Sequence, residues 1–180
     1  HHSLYFRMPG IKIASPMTPK EYISIYSQFM KDDDVYYVSE HRKSYDNSSE
    51  LKDSLNYEKF DIIIFAISIT RFESIKAKKI LEKKGITVGI INIVWLKPFR
   101  IKKRWLEALK KSRFGGIVID DDYVNGVSKS VANDLNLKTR KQMHTMGLKD
   151  RTAGFHKKSD NLPPDAEKIC KQVEKIINKN

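Results

Sequence analysis

Residues 61–69 read DIIIFAISI, and residues 83–99 read KKGITVGIINIVWLKPF. The first is a near-continuous β-branched run, Asp61–Ile67, of the kind expected for a strand covered on both faces. Thr87–Val94 in the second has the same character. Between them, Arg71–Lys84 carries Phe72, Ile75, Ile80 and Leu81 at helical spacing, which predicts an inward face. Gly85 follows as a left-handed helix terminator. Strand, helix and strand with short links is the unit of a parallel sheet, because a parallel neighbour needs a crossover.

The pattern continues downstream. Ile101, Trp105, Ala108 and Leu109 predict an amphipathic helix. Gly116–Ile119 predicts a strand and Val124–Leu135 a helix with Val127, Val131 and Leu135 inward. Lys141–Met146 predicts a fourth strand. Pro163 and Pro164 introduce a last helix, with Ile169, Val173, Ile176 and Ile177 on one side. The expected fold class is therefore α/β, a three-layer, mostly parallel sheet with helices on both faces.

Upstream, Ile11–Ala14 and Val35–Val38 are short strand candidates flanking a helix. Thr18, Pro19 and Glu21 predict its start through a capping box, and Ile23, Tyr26 and Met30 its apolar face. Residues 39–60, SEHRKSYDNSSELKDSLNYEKF, have no sustained period and predict a linker, with room for one hairpin strand. The expected division is a tail of an α/β domain over 1–45, a linker over 46–60 and a second α/β domain over 61–180.

The chain has 180 residues, net charge +12 and one cysteine. A domain of this size buries a core without disulfides, so Cys170 is expected in helix packing and the setting to be reducing, cytoplasmic. No apolar run approaches the ~20 residues of a membrane span. The lysines and arginines are scattered over helix faces. Their densest run, Arg100–Arg113, has its one aromatic, Trp105, on the apolar stripe, so a solvated face is preferred to a nucleic-acid site. The charge still favours an acidic partner or an anionic substrate. The opening HHSLYF is read either as the edge of a fragment or as the remnant of a histidine tag.

Glycine-rich phosphate loops, a nucleophile elbow and zinc-type spacing are all missing from the sequence. The five histidines are His1, His2, His41, His144 and His156, none paired at helical spacing. Ligands of parallel sheets sit beyond the carboxyl ends of the strands. Those ends are Ser68–Thr70, Asn92–Phe99 and Asp120–Asp122. The three aspartates are read as a turn or cap in preference to a metal or hydroxyl site. His41–Arg42, after a strand, could hold a carboxylate or phosphate.

Several segments, in this order, resemble the last part of the transketolase family and of the beta subunit of 2-oxo-acid dehydrogenases. They are MPGIKIASPMTPKEY, DDDVYYVSEHRKSYD, the long run from Asp61 to WLKPF, GGIVIDDDYVNGVSKSVANDL, MGLKDRTAGF and NLPPDAEKI. The resemblance implies the tail of a pyrimidine-binding domain followed by a transketolase C-terminal-like domain. It implies a thiamine-diphosphate-dependent, transketolase-like transferase that moves two-carbon ketol units between sugar phosphates. A beta-type subunit of a 2-oxo-acid dehydrogenase and a non-catalytic assembly module are the alternatives. By resemblance, His2 matches a proton-transfer or substrate-binding histidine, and Arg42 with His41 matches the substrate-phosphate position. Thiamine diphosphate and Mg²⁺ would be held mainly by parts outside this chain. The implied partner is a subunit or domain with the diphosphate site, in a homo- or hetero-oligomer joined through apolar helix faces and the WLKPF region.

Overall fold

The computed structural model describes residues 2–151 and 161–179. His1, His156 and the end of the MGLKDRTAGF segment lie outside them. The elements in order are α1 (His2–Phe6), β1 (Ile11–Ala14), α2 (Pro19–Phe29), β2 (Val35–Val38), a 3-10 turn (Arg42–Ser44), β3 (Ile62–Ile67), α3 (Thr70–Lys83), β4 (Val88–Ile93), β5 (Trp95–Lys97), α4 (Lys103–Lys110), β6 (Gly116–Tyr123), α5 (Val127–Thr139), β7 (Met143–Leu148) and α6 (Ala166–Ile177).

β4, β3, β6 and β7 form, in that spatial order, a sheet whose pairs are all parallel. Every residue of β3 and β4 is buried, as a strand covered on both faces requires. One face packs Ile63, Phe65, Ile67, Ile91 and Ile93 with α4 and α5 through Trp105, Leu109, Val131 and Leu135. The other packs Ile62, Ile64, Ile90 and Ile117 with α3 and α6 through Ala77, Leu81, Ile169 and Val173. Alternate residues of one strand thus serve two cores, the period-two geometry of a sheet. Cys170 lies buried in the second core. A smaller sheet runs β2, β1, β5, with β1 parallel to β2 and antiparallel to β5. β5 follows β4 after one residue, yet it pairs with the strand of the upstream segment and so stitches the two sheets together. No described helix is long and apolar enough to cross a membrane.

Glycine is required at two places. Gly85 ends α3 at φ +80°, as the sequence predicts. Gly115, at φ +75°, enters β6 where a Cβ would meet the Gln142 carbonyl oxygen at 2.0 Å.

Four expectations need correction. The buried face of α3 is Thr70, Arg71, Ser74, Ala77, Lys78 and Leu81, whereas Ile80 is exposed and Phe72 and Ile75 are half-buried. The burial period is helical but several of its carriers are polar: Thr70, Arg71 and Lys78 are buried because they meet partners on other elements, Ile119, Asn92 with Glu21, and Val88. Similarly, α2 buries Ile25, while Ile23 is 68% and Met30 79% exposed. The capping box does not form. The Thr18 hydroxyl instead donates to Glu50 at 2.7 Å, and Glu21 accepts from the backbone N–H of Met17 at 2.9 Å. Finally, Asp120–Asp122 lie within β6 and not in a turn after it, since the strand runs on to Tyr123.

Residues 46–60 form no hairpin. Ser54 makes an isolated antiparallel bridge to Ile90 at the free edge of β4. The Asp53 carboxylate accepts from the backbone N–H of Asn92 at 2.9 Å and the Trp105 indole at 2.8 Å. Polar composition here reflects side chains that fasten this segment to the sheet.

Candidate functional site

Four strands, β2, β3, β6 and β7, end at one cleft. Its cavity of ≈ 610 Å³ is lined by Ser39, Glu40 and His41 after β2, Ser68 after β3, Asp121 of β6 and Leu148 of β7, among others. The sheet order places these ends together, as expected for open parallel sheets.

Ser68 leaves β3 at φ +55°, a left-handed conformation that a non-glycine residue adopts at a cost of about 1–3 kcal/mol. The bend lets its hydroxyl donate to Asp121 Oδ2 at 2.7 Å. Two residues on, Thr70 donates to the carbonyls of Ile67 at 2.6 Å and Ile119 at 3.0 Å, locking the start of α3 over β3 and β6.

Behind Asp121 lies a fully buried pair. His2 Nε2 is 2.9 and 3.0 Å from the two carboxylate oxygens of Asp120, and Nδ1 is 3.1 Å from the Ser39 hydroxyl. Both His2 and Asp120 are 0% exposed. Burial works against a charge on His2, but the Asp120 carboxylate, by charge and hydrogen bond, outweighs it and raises the imidazole pKa above its usual value. Asp122 Oδ2 accepts the backbone N–H of Ser3 at 2.9 Å. Burial pushes the Asp122 carboxyl up, but the N–H groups of Ser3 and Tyr123 and the nearby His2 bring it below the usual range. The Ser3 hydroxyl in turn accepts from Val127 N–H at 3.2 Å, at the first turn of α5. The five-residue α1 is thus held by polar contacts to β6 and α5.

The Asp121 carboxyl is pushed from 3.8 up to about 6, by burial first and then by the charge of Asp120. A carboxyl whose pKa is higher folded than unfolded binds its proton more tightly in the native state. Its contribution to stability is therefore present at low pH and is lost as pH rises from about 4 to about 6. Asp121→Asn is expected to become progressively more stabilising, relative to the parent, over that interval and to level off above it. Urea unfolding of both proteins at steps between about pH 4 and about pH 8 measures this difference. A difference independent of pH would contradict it.

Of the residues singled out from sequence, His2 and Asp120–Asp122 converge on this region. His41 lines the cleft, its Nδ1 accepting from Lys43 N–H at 3.2 Å. Burial and the nearby Lys43 lower its pKa. Arg42 is exposed at the start of the 3-10 turn. Sequence reasoning missed Ser68 and the pairing of His2 with Asp120, residues 118 apart in the chain. The only signal for Ser68 was its place at a strand end. Among the described residues, His2, Asp120 and Asp121 are the one cluster whose ligand atoms, within 4.8 Å of one another, could hold a metal ion. Their atoms are already committed to one another, to Ser39 and to Ser68.

Comparisons with known proteins show the fold and the family. The chain is 26% identical over 144 residues to the pyruvate dehydrogenase E1 component subunit beta of Mesostigma viride, spanning 74% of the chain and 43% of that protein. Among solved structures, a split-gene transketolase, described as an inactive beta4 tetramer, matches 98% of the chain and 60% of its own length at TM-score 0.75 and 19% identity. A transketolase from Pichia stipitis in complex with sedoheptulose-7-phosphate matches 99% of the chain and 27% of its own length at TM-score 0.70 and 16% identity. The structural likenesses establish the shared fold, and the chain spans less than two thirds of each of these relatives. The family model described as "Transketolase, C-terminal domain" matches residues 52–169, so the chain belongs to the transketolase C-terminal domain family.

Proposed function

We propose that this chain is the C-terminal part of a thiamine-diphosphate-dependent enzyme, transketolase-like in its reaction, and that the cleft above β3 and β6 is its share of the substrate site. The observation that carries the reading is the convergence of Ser39, His41, Ser68 and Asp121 at the strand ends, in a chain of this family. His41 and the exposed Arg42 would receive the phosphate of a sugar phosphate. His2 is buried, so its proposed part in proton handling runs through the side chains that it touches, Ser39 and Asp120.

The described residues do not fit the diphosphate and Mg²⁺ end of the cofactor. The cleft presents the carboxylates of Glu40 and Asp121, which repel a diphosphate, and the His2 cluster is internally satisfied. A partner subunit or domain would hold that end. When bound, thiamine diphosphate supplies the carbanion chemistry. This chain orients substrate and completes the wall that excludes water.

The test is coexpression with a subunit that carries the diphosphate site, followed by an assay of ketol transfer between sugar phosphates. Arg42→Ala should raise KM for the phosphorylated substrate about tenfold, the worth of one charge-assisted bond, with kcat little changed. An unchanged KM removes the phosphate role. The likeness to an E1 beta subunit supports a second reading, oxidative decarboxylation of a 2-oxo acid. Reduction of an artificial acceptor by the same complex with a 2-oxo acid, and no ketol transfer, would favour it. Calorimetry showing that this chain leaves the partner's affinity for the cofactor unaltered, with neither activity, would leave an assembly role.

A further inference from the structure

The chain contains two tryptophans, and both line one cavity of ≈ 270 Å³ at the junction of the two sheets. Trp95 comes from β5 and Trp105 from α4. Val94 and Pro98 add to the apolar wall, and Arg100 and Lys102 form part of the rim. The indoles are held in place. Trp105 Nε1 donates to Asp53 Oδ2 at 2.8 Å, and Phe99 stacks on its ring at 6.4 Å. Trp95 meets Tyr36 edge-on at 6.0 Å.

The cations at this cavity differ in their commitments. Lys12 is neutralised by Asp32 and Asp34. Lys102 lies with Nζ 5.0 Å over the Trp105 ring. Arg100 and Lys102 are exposed, and neither is paired with a carboxylate among the described residues. Along α4 Lys103 is paired with Glu107 at 4.0 Å and Arg104 with Asp53, while Lys110 and, past the helix end, Lys111 and Arg113 are exposed. A preorganised aromatic pocket thus has at its rim Arg100 and Lys102, two cations without carboxylate partners among the described residues, and further basic residues on and beyond the adjoining helix.

We propose that this cavity docks an acidic segment of a partner polypeptide through one aromatic or large apolar anchor residue. The cavity is smaller than the ~300–1,000 Å³ typical of whole-ligand sites, so it suits one side chain better than a metabolite or cofactor. An apolar anchor in a fixed pocket within a charged rim is how binding energy concentrates at interfaces. Carboxylates flanking the anchor meet Arg100 and Lys102 and are steered by the basic helix. A second copy of this chain, at +12, would bring like charge to the same face.

The experiment uses the full chain and its own indoles. A short peptide of glutamates and aspartates around a central phenylalanine is titrated in, with tryptophan emission as the readout. Because the peptide has no tryptophan, the signal comes from Trp95 and Trp105 alone. The expected result is a saturable change in emission whose dissociation constant rises about tenfold or more between low and high salt. Replacing the peptide's phenylalanine by alanine, and separately the double variant Arg100→Glu with Lys102→Glu, should each weaken binding about tenfold. Both side chains are exposed, so circular dichroism of the variant should match the parent. No saturable change overturns the proposal, as does equal binding of the alanine peptide, which would mean charge alone. Phenyl phosphate binding as tightly as the peptide overturns it in favour of a small-anion site. None of these outcomes depends on the thiamine reading.

Discussion

Arg71→Ala is expected to lower the free energy of unfolding by about 3–5 kcal/mol, the usual cost of removing one partner of a buried ion pair. The Arg71 side chain is 0% exposed. Its two terminal nitrogens donate to the two oxygens of Glu21 at 2.8 and 2.6 Å, and Nε donates to Asn92 Oδ1 at 3.1 Å. The pair joins α2, beside the smaller sheet, to α3 and β4 of the larger one. Alanine leaves the half-buried Glu21 carboxylate without its charged partner and empties the volume of a guanidinium and its stem. Lysine should recover little, because an ammonium cannot reproduce the planar fork. Urea unfolding of the parent, Arg71→Ala, Glu21→Ala and the double variant gives the coupling directly. The double variant should be less destabilised than the sum of the singles, since neither leaves the other unpaired. A loss below about 1 kcal/mol for Arg71→Ala would place the pair with exposed salt bridges and overturn this account.

Asp120→Ala should be comparably severe, about 3 kcal/mol, and should change a titration as well. Without Asp120 the burial of His2 is opposed only by the weaker influence of Asp122 and Asp121. The imidazole pKa should therefore fall relative to the parent, observable by nuclear magnetic resonance of the ring protons. The sign for stability follows. In the parent, His2 holds its proton more tightly folded than unfolded, so this contribution is complete below about 6.5 and is lost as pH rises through the folded value. In the variant, that loss should disappear. Since His2 and Ser3 fasten the start of α1, while Tyr5 and Phe6 pack its other end, the variant should also make the first residues of α1 more open to proteolysis before the rest of the chain unfolds. An unshifted His2 titration with full stability would mean that Asp120 does not hold it.

The largest part of the fold was legible before any coordinates. β3 and β4 have too many β-branched residues in a row for a half-exposed strand, and α4, α5 and α6 bury most of the residues expected of them, the exceptions being the half-buried Ile177 and Ile101, which lies ahead of α4. Failures cluster where partners come from elsewhere in the chain. Lys78 reads as one of the lysines of a helix face, and Arg71 gives no signal at all, because charge is visible in sequence and the partners are not. Lys78 in fact donates to the Val88 carbonyl and to Glu82, each at 2.5 Å. The exposed Ile23 and Met30 of α2 illustrate the converse, since apolar spacing alone does not say whether a face is covered.

The site divides in the same way. Position at strand ends points to His41, Arg42 and Asp120–Asp122, because parallel strands deliver their carboxyl ends to one edge, whereas only the family resemblance singles out His2. The bond between His2 and Asp120, the turn at Ser68 that reaches Asp121, and the placing of Trp95 and Trp105 on one cavity were decided by tertiary structure alone. Periodic burial is a local property, written every two or every 3.6 residues, so the chain spells it out. Which hydrogen-bond donor meets which acceptor depends on how sheets and helices stack, and that is fixed only when the two layers close over each other.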